Sequence, residues 1–342
     1  MEIRSLQPFG VEVVGCDLND ATDDDVRRIY DAMESDNGCG VVCVRDQDLT
    51  PEALERGLAR FAKHFGALIR YDRWPGQSRG VRGCQHLALL GNYRARRDGE
   101  IVEGCRKGEQ IGEFKPAFNV VEEWHTDGSF LAAPKSAIAL CRLRRRTSSA
   151  GHIVTTPRRY APAWLDDALP PVGAATRFAS CARGYDALEE RERAELGALA
   201  SVHSWESFMH LLERRDPKRQ KITPADAAKK PDVCWPLVRR HPDTGRLSLY
   251  LNPKNTRRVC RLPRSGWPAK SGRTVDEGDA MVRRLAERVI GTGVYAHAWK
   301  KGDLVLWDNR QLLHAASPFD ADKYQRLLFR AEFAGEAVLH GA

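Results

Sequence analysis

The sequence predicts a mainly β protein with flanking helices, arranged as an antiparallel sandwich or barrel. Two observations carry this. From residue 136 onward the apolar residues fall into short runs, "SAIALCRL", "LSLYLN", "GDLVLWDN" and "QRLLFRAEF", and the turn signal "RHPDTGR" precedes the second of these. Helical periodicity is confined to a few separate segments that interrupt or precede those runs. The 342 residues suit one elaborated domain spanning 1–342.

Taken in order, "FGVEVVGCDL" alternates and reads as a short strand. "ATDDDVRRIYDAMESDNG" reads as a helix capped by Thr22. Aspartates fill its first turn, Val26, Ile29, Tyr30 and Met33 form one stripe, and Gly38 stops it. "GVVCVRDQ" is a β-branched run suited to a buried strand. "LTPEALERGLARFAKHFG" is the plainest helix, with Thr50 as cap, Pro51 at the first position and Leu54, Leu58, Phe61 and Phe65 along one face. Residues 72–121 are rich in Gly, Arg and charge and read as long loops around the strand "HLALLGN". Two later helices are expected, "YDALEERERAELGAL" with Leu188, Leu196 and Leu199, and "DEGDAMVRRLAERVI" with Met281, Leu285 and Val289. Residues 213–232 are charged and broken by proline, the pattern of a mobile loop.

Composition excludes several classes. The formal net charge is +8, yet there is no RNA-binding signature, zinc-finger spacing or aromatic-interleaved basic stripe, so a nucleic-acid partner is not expected. Nine cysteines are scattered without a Cys-x-x-Cys, which fits buried thiols in a reducing compartment rather than a disulfide framework. No apolar run approaches a membrane span, and the reading is a soluble, cytoplasmic protein.

The stretch "EEWHTDGSF" carries the chemistry. In a strand, alternate residues share a face, so His125 and Asp127 would direct an imidazole nitrogen and a carboxylate oxygen to one point. Those are two ligands for a divalent first-row metal, and a third would complete one face of an octahedron and leave three positions open. Of the ten histidines, His314 in "LVLWDNRQLLHAASPFD" is the best candidate, because it follows an apolar strand and is succeeded by the small Ala315 and Ala316. Downstream, "YQRLLFRAEF" carries Arg326 and Arg330, either of which could hold a carboxylate bidentately. Two histidines, a carboxylate and a carboxylate clamp suggest a ferrous oxygenase that uses a keto acid.

With these motifs in order, the chain resembles the taurine dioxygenase (TauD/TfdA-type) family of Fe(II)/2-oxoglutarate enzymes. "GVEVVGCDL", "VVCVRDQDLTPEALERGLARFAKHFGAL", "WHTDGSFLAAPKSAIAL", "PLVRRHPDTGRLSLYLN", "GDLVLWDNRQLLHAASPFD" and "RLLFR" carry the likeness over most of the chain. The resemblance implies a double-stranded β-helix, a jelly-roll, cupin-like core. It implies Fe(II), 2-oxoglutarate as cosubstrate and O2, with His125, Asp127 and His314 as metal ligands. Arg330 would bind the distal carboxylate of 2-oxoglutarate with Arg326 beside it, and Thr176, in "GAATRFASCARGYDAL", would add a hydroxyl. That placement makes 147–172 an insertion relative to the family, as 72–121 also is. The implied reaction hydroxylates an unactivated C–H bond of a small organic substrate with release of succinate and CO2.

Rival readings share parts of this pattern. A halogenase would lack the carboxylate that Asp127 supplies. A non-catalytic jelly-roll binding module would not need the triad and Arg330, a zinc hydrolase would release no succinate, and a tailoring oxygenase would take a natural-product intermediate. The expected partner is a small molecule, with a homo-oligomer left open. The loops after the Phe-Gly helix end carry Arg70, Arg73, Arg94, Arg96 and Arg97, so an anionic substrate is expected, with Arg70 as its contact.

Overall fold

The structure is a computed structural model. It describes residues 1–71, 80–81, 83–91, 93–95, 101–106, 124–142, 175–215, 220–262, 274–275, 278–317 and 327–336. Two sheets face each other. The larger has seven strands, in spatial order Glu2–Ser5, Val11–Val14, Val41–Val44, Leu304–Asp308, Ala137–Cys141, Leu327–Glu332 and Ala88–Gly91. Its pairs are antiparallel except that of Val11–Val14 with Val41–Val44. The smaller sheet sets Thr176–Ser180 between Val294–His297 and Leu312–Ala316, both antiparallel.

Strand alternation builds the layers. Val41, Cys43, Ile138, Leu140, Val305, Trp307 and Leu328 point inward and meet Phe178, Tyr295 and Leu312 of the smaller sheet. Their neighbours Val42, Val44, Ala139, Leu306 and Phe329 point outward against Val26, Ile29, Leu54 and Leu58 of two helices. On the far side Ala179, Leu313 and Ala315 receive Val282, Leu285 and Val289 of the helix Gly278–Gly291. Covering both faces explains why strands such as Val41–Val44 are apolar at every position. A four-stranded sheet, Val233–Pro236, Leu199–His203, Thr256–Arg261 and Thr274–Val275, lies beside this core. Among the described residues no helix is long and apolar enough to cross a membrane, and the eight cysteines whose side chains are described are free.

The first helix runs Asp23–Glu34 with Thr22 and Asp25 in a capping box and the expected stripe buried. It ends at Ser35 rather than Gly38. Gly38 lies against the last turn, where a Cβ would fall 2.3 Å from the carbonyl oxygens of Ala32 and Met33. The second is split into Pro51–Ala59 and Ala62–Phe65. Between them Arg60 and Phe61 donate three residues back, to Gly57 and Leu58, a tightening the apolar stripe does not reveal. The third expected helix is Cys181–Asp186 and Glu190–Gly197, and Leu199 opens a strand instead. The segment 213–232, read as a mobile loop, holds the end of the helix Trp205–Arg215 and a short helix Pro224–Ala228 capped by Thr223. Most of the two expected insertions lies outside the described residues.

Candidate metal centre

His125 and Asp127 do not share a strand. His125 makes a single antiparallel bridge to His314, each backbone N–H donating to the other's carbonyl at 3.0 Å. The chain then turns through Gly128, at φ +67°, so Asp127 reaches the same point by a turn and not by strand alternation. Nε2 of His125 is 3.4 Å from one Asp127 oxygen and Nε2 of His314 is 3.7 Å from the other. All three ligand atoms lie within 4.8 Å of one another. With metal–ligand bonds near 2 Å, donors on one face of an octahedron sit roughly 3 Å apart. The donor set therefore suits a ferrous ion with little adjustment.

The metal loop is held by a ring of polar side chains. Asn309 clamps the backbone of Asp127 from both sides: its Oδ1 accepts from the Asp127 N–H at 3.0 Å, and its Nδ2 donates to the Asp127 carbonyl at 2.9 Å. The same Nδ2 donates to the carbonyl of Lys135. Asn252 donates to the Thr126 carbonyl and to Ser129 Oγ at 2.6 and 2.7 Å, and Trp235 donates to the Ser129 carbonyl at 2.8 Å. Because Asn252 occupies a lone pair of Ser129, the hydroxyl proton can go to Nδ1 of His203, 2.9 Å away, while His203 Nε2 meets Ser201. Burial pushes the pKa of His203 down to about 3, which keeps it neutral in this network.

A second polar cluster supports Asn309 from below. Asp308 accepts from the Arg310 guanidinium, with Nη2 at 2.6 Å, and from His241 Nε2 at 2.8 Å. His241 Nδ1 accepts from the backbone N–H groups of Asp243 and Thr244, which fixes the proton on Nε2. Burial and the adjacent Asp308 push the Glu34 carboxyl well up, and Gln311 donates to it. Glu34, His241 and Asp308, like the buried group of Cys43, His297 and Asp303, bring potential ligands together. In each case a guanidinium already sits on the aspartate, Arg310 in one and Arg45 in the other.

Charges alternate outward from the centre. Arg330 Nη2 lies 2.5 Å from Asp127 and also contacts Glu332, which meets Lys135 at 2.5 Å. Burial opposes the charge on Asp127, but Arg330 and His125 outweigh it and hold the carboxyl well below the usual range. Burial, helped by the positive groups around it, pushes His314 well below an ordinary histidine, so its Nε2 lone pair is available without loss of a proton. Trp307 packs on the His314 ring at 5.0 Å.

The remaining expected residues fall as follows. Thr176 is buried and pairs with Ala316, while Phe178 pairs with His314, so Thr176 and His314 share the inner face of the smaller sheet. Its hydroxyl accepts from Trp299 at 3.1 Å. Arg330, expected to bind the distal carboxylate of 2-oxoglutarate, stands instead at the metal end, its Nη2 2.5 Å from Asp127. Arg326, Arg73, Arg96 and Arg97 lie outside the described residues, as does the side chain of Arg94. Arg70 is half-buried where the backbone of Ile69 joins that of Glu332. Its neighbour Tyr71 is the residue beside Glu332 and Arg330, and burial together with Glu332 raises its phenol pKa well above normal. Sequence reasoning passed over Tyr71, Lys254 and the ring of Asn252, Asn309, Ser129 and His203. Asn309, Ser129 and Asn252 sit inside the motifs "WDNR", "WHTDGSF" and "LSLYLN", the signal that was available.

Comparison with known proteins agrees with this geometry. The family model described as "Taurine catabolism dioxygenase TauD, TfdA family" matches residues 2–152 and 165–331. The chain is similar to an alpha-ketoglutarate-dependent 2,4-dichlorophenoxyacetate dioxygenase of Cupriavidus pinatubonensis, 28% identical over 337 residues, covering 97% of this chain and 96% of that one. It is also similar to a pentalenolactone F synthase of Streptomyces avermitilis, 26% identical over 331 residues, 94% of this chain and 89% of that one. The crystal structure of AAD-2 in complex with Mn(II) and N-oxalylglycine superposes with a TM-score of 0.65 at 26% identity, covering 99% of each chain. The facing sheets are thus the jelly-roll core of these enzymes. The chain belongs to the TauD/TfdA family of alpha-ketoglutarate-dependent dioxygenases, oxidoreductases that use Fe(II), 2-oxoglutarate and O2.

Proposed function

We propose that the chain hydroxylates an unactivated C–H bond of a small organic anion, with His125, Asp127 and His314 holding the iron. The convergence of two Nε2 atoms and the Asp127 carboxylate on one point carries this reading. When bound, the ferrous ion with 2-oxoglutarate and dioxygen supplies the oxidising power, and succinate and CO2 leave. The chain's own residues prepare and orient. Asn309, Asn252 and Trp235 fix the loop so that the ligands need not be reorganised on binding. Arg330 keeps Asp127 ionised and presents its guanidinium to the cosubstrate at the metal end. Thr176, on the inner face with His314, and Arg326, four residues before Arg330, are assigned to the distal carboxylate of 2-oxoglutarate.

The anionic substrate follows from the net charge of +8 and from the relative named for 2,4-dichlorophenoxyacetate. The test is aerobic turnover with Fe(II), 2-oxoglutarate and a panel of small carboxylates, sulfonates and a neutral lactone, read as substrate-dependent succinate. Hydroxylated product from an anionic member supports the reading. Substrate-dependent succinate from the lactone alone moves the protein to natural-product tailoring, and none from any member, with none in the uncoupled reaction, refutes it.

A further inference from the structure

The strands Val238–Arg240 and Leu247–Leu249 form a hairpin, and the first runs straight into His241 of the Asp308 cluster. Arg239 stands directly opposite Ser248 in this hairpin, and Tyr250, two residues on, falls on the same side. All three are buried, at 4%, 2% and 2% exposure. Arg239 Nε, Ser248 Oγ and Tyr250 Oη have no hydrogen-bond partner among the described residues. The Arg239 guanidinium lies over the Tyr250 ring at 4.9 Å, and that ring stacks on His203 at 5.6 Å.

A guanidinium stays protonated even where burial works against it, and burial is the main influence on Arg239. Tyr250 covers one face of the group, but its N–H edge needs acceptors in the guanidinium plane. The carboxylate that acts on it, Asp308, is already held by Arg310 at 2.6 Å and His241 at 2.8 Å. Arg310 adds to the positive field. Ser248 is the cross-strand neighbour, with its Cβ about 5 Å away, yet its hydroxyl does not bond to Arg239. A species between the two would accept from both. A water would answer the hydrogen bonds but not the charge, and a buried charge calls for a partner of opposite sign. One positive charge and side chains this enclosed select a small monovalent anion.

We propose that Arg239 and Ser248 hold a small monovalent anion of the chloride type against the Tyr250 ring. The site uses none of the iron ligands and stands whether or not the oxygenase reading does. The test is urea unfolding of the full chain from about 3 to 300 mM chloride, with gluconate keeping the ionic strength fixed. An anion bound only by the folded chain raises the folding constant about tenfold for each tenfold of chloride above its dissociation constant. The wild-type midpoint should climb accordingly. Arg239→Met should abolish the climb, so the gap between it and the wild type closes as chloride is withdrawn. Ser248→Ala removes a single hydroxyl. It should still climb but need about 10-fold more chloride, the worth of one charge-assisted hydrogen bond, and it decides the matter if Arg239→Met does not fold. A wild-type midpoint that ignores chloride overturns the site and assigns these atoms to water. A climb that persists unchanged in Arg239→Met or in Ser248→Ala also overturns it, because chloride then acts elsewhere on a chain of net charge +8.

Discussion

Asp127 meets two opposing demands: burial disfavours its charge, and a metal ligand must carry one. Arg330, 2.5 Å away, settles the balance in favour of the carboxylate. His125→Ala, Asp127→Ala and His314→Ala should each abolish iron binding and turnover, because a facial set of three has no spare member. Metal analysis after dialysis checks this, and full occupancy in any one variant removes that residue from the set. Arg330→Ala should raise the KM for 2-oxoglutarate well beyond that for the primary substrate. Losing one partner of a buried charge pair costs roughly 2–5 kcal/mol, or at least about 30-fold. Steady-state kinetics with each substrate varied in turn reads the split, and an unchanged 2-oxoglutarate dependence leaves Arg330 as a support for Asp127 only. His125, Asp127 and His314 were legible in the sequence because few residue types bind iron. The ring around them was not, since Asn252, Ser129 and His203 are common polar residues whose meaning depends on contacts across 74 to 123 positions.

At the scale of elements, the turn between the strands Leu304–Asp308 and Leu312–Ala316 does two jobs. It ends one strand in the Asp308–Arg310–His241 cluster and projects Asn309 onto the metal loop. Asn309→Ala should cost about 1–3 kcal/mol and weaken metal binding together with it, since buried backbone partners are left unsatisfied. Denaturation of the metal-free chain and metal titration separate the two effects. His203 gives a pH dependence. Its folded pKa is near 3 against roughly 6.5 unfolded, so between those values the unfolded chain binds the extra proton. Its contribution is complete above pH about 6.5 and is lost as pH falls toward about 3. His203→Gln should flatten that part of the stability profile, and an unaltered slope in urea midpoints from pH 7 to 4 would assign it to other groups. Several elements were legible for plain reasons: Thr22 and Thr50 cap as their types require. The strand Thr176–Ser180 was hidden because "TRFAS" is short and runs straight into the helix Cys181–Asp186.

For the whole molecule, the sandwich lies between helices on both sides, and the outer packing sets how closely they approach. Gly184, on the helix Cys181–Asp186, faces Val289, where a Cβ would fall 2.4 Å from Val289 Cγ2. Gly184→Ala should destabilise the fold by about 1–3 kcal/mol through overpacking, read as a lower urea midpoint with an unchanged slope. The class of fold was legible from alternation and short apolar runs. The sheet order was not. Leu304–Asp308 lies between Val41–Val44 and Ala137–Cys141, partners more than 150 residues away that no local pattern specifies.

The most direct test is anaerobic titration of the metal-free chain with Fe(II) and then 2-oxoglutarate, followed by equilibrium dialysis, for wild type and Asp127→Ala. A single centre at His125, Asp127 and His314 predicts about one iron per chain, 2-oxoglutarate bound tightly only once iron is present, and loss of both in the variant. Iron retained at full stoichiometry in Asp127→Ala, or 2-oxoglutarate binding that ignores the metal, would contradict the assignment.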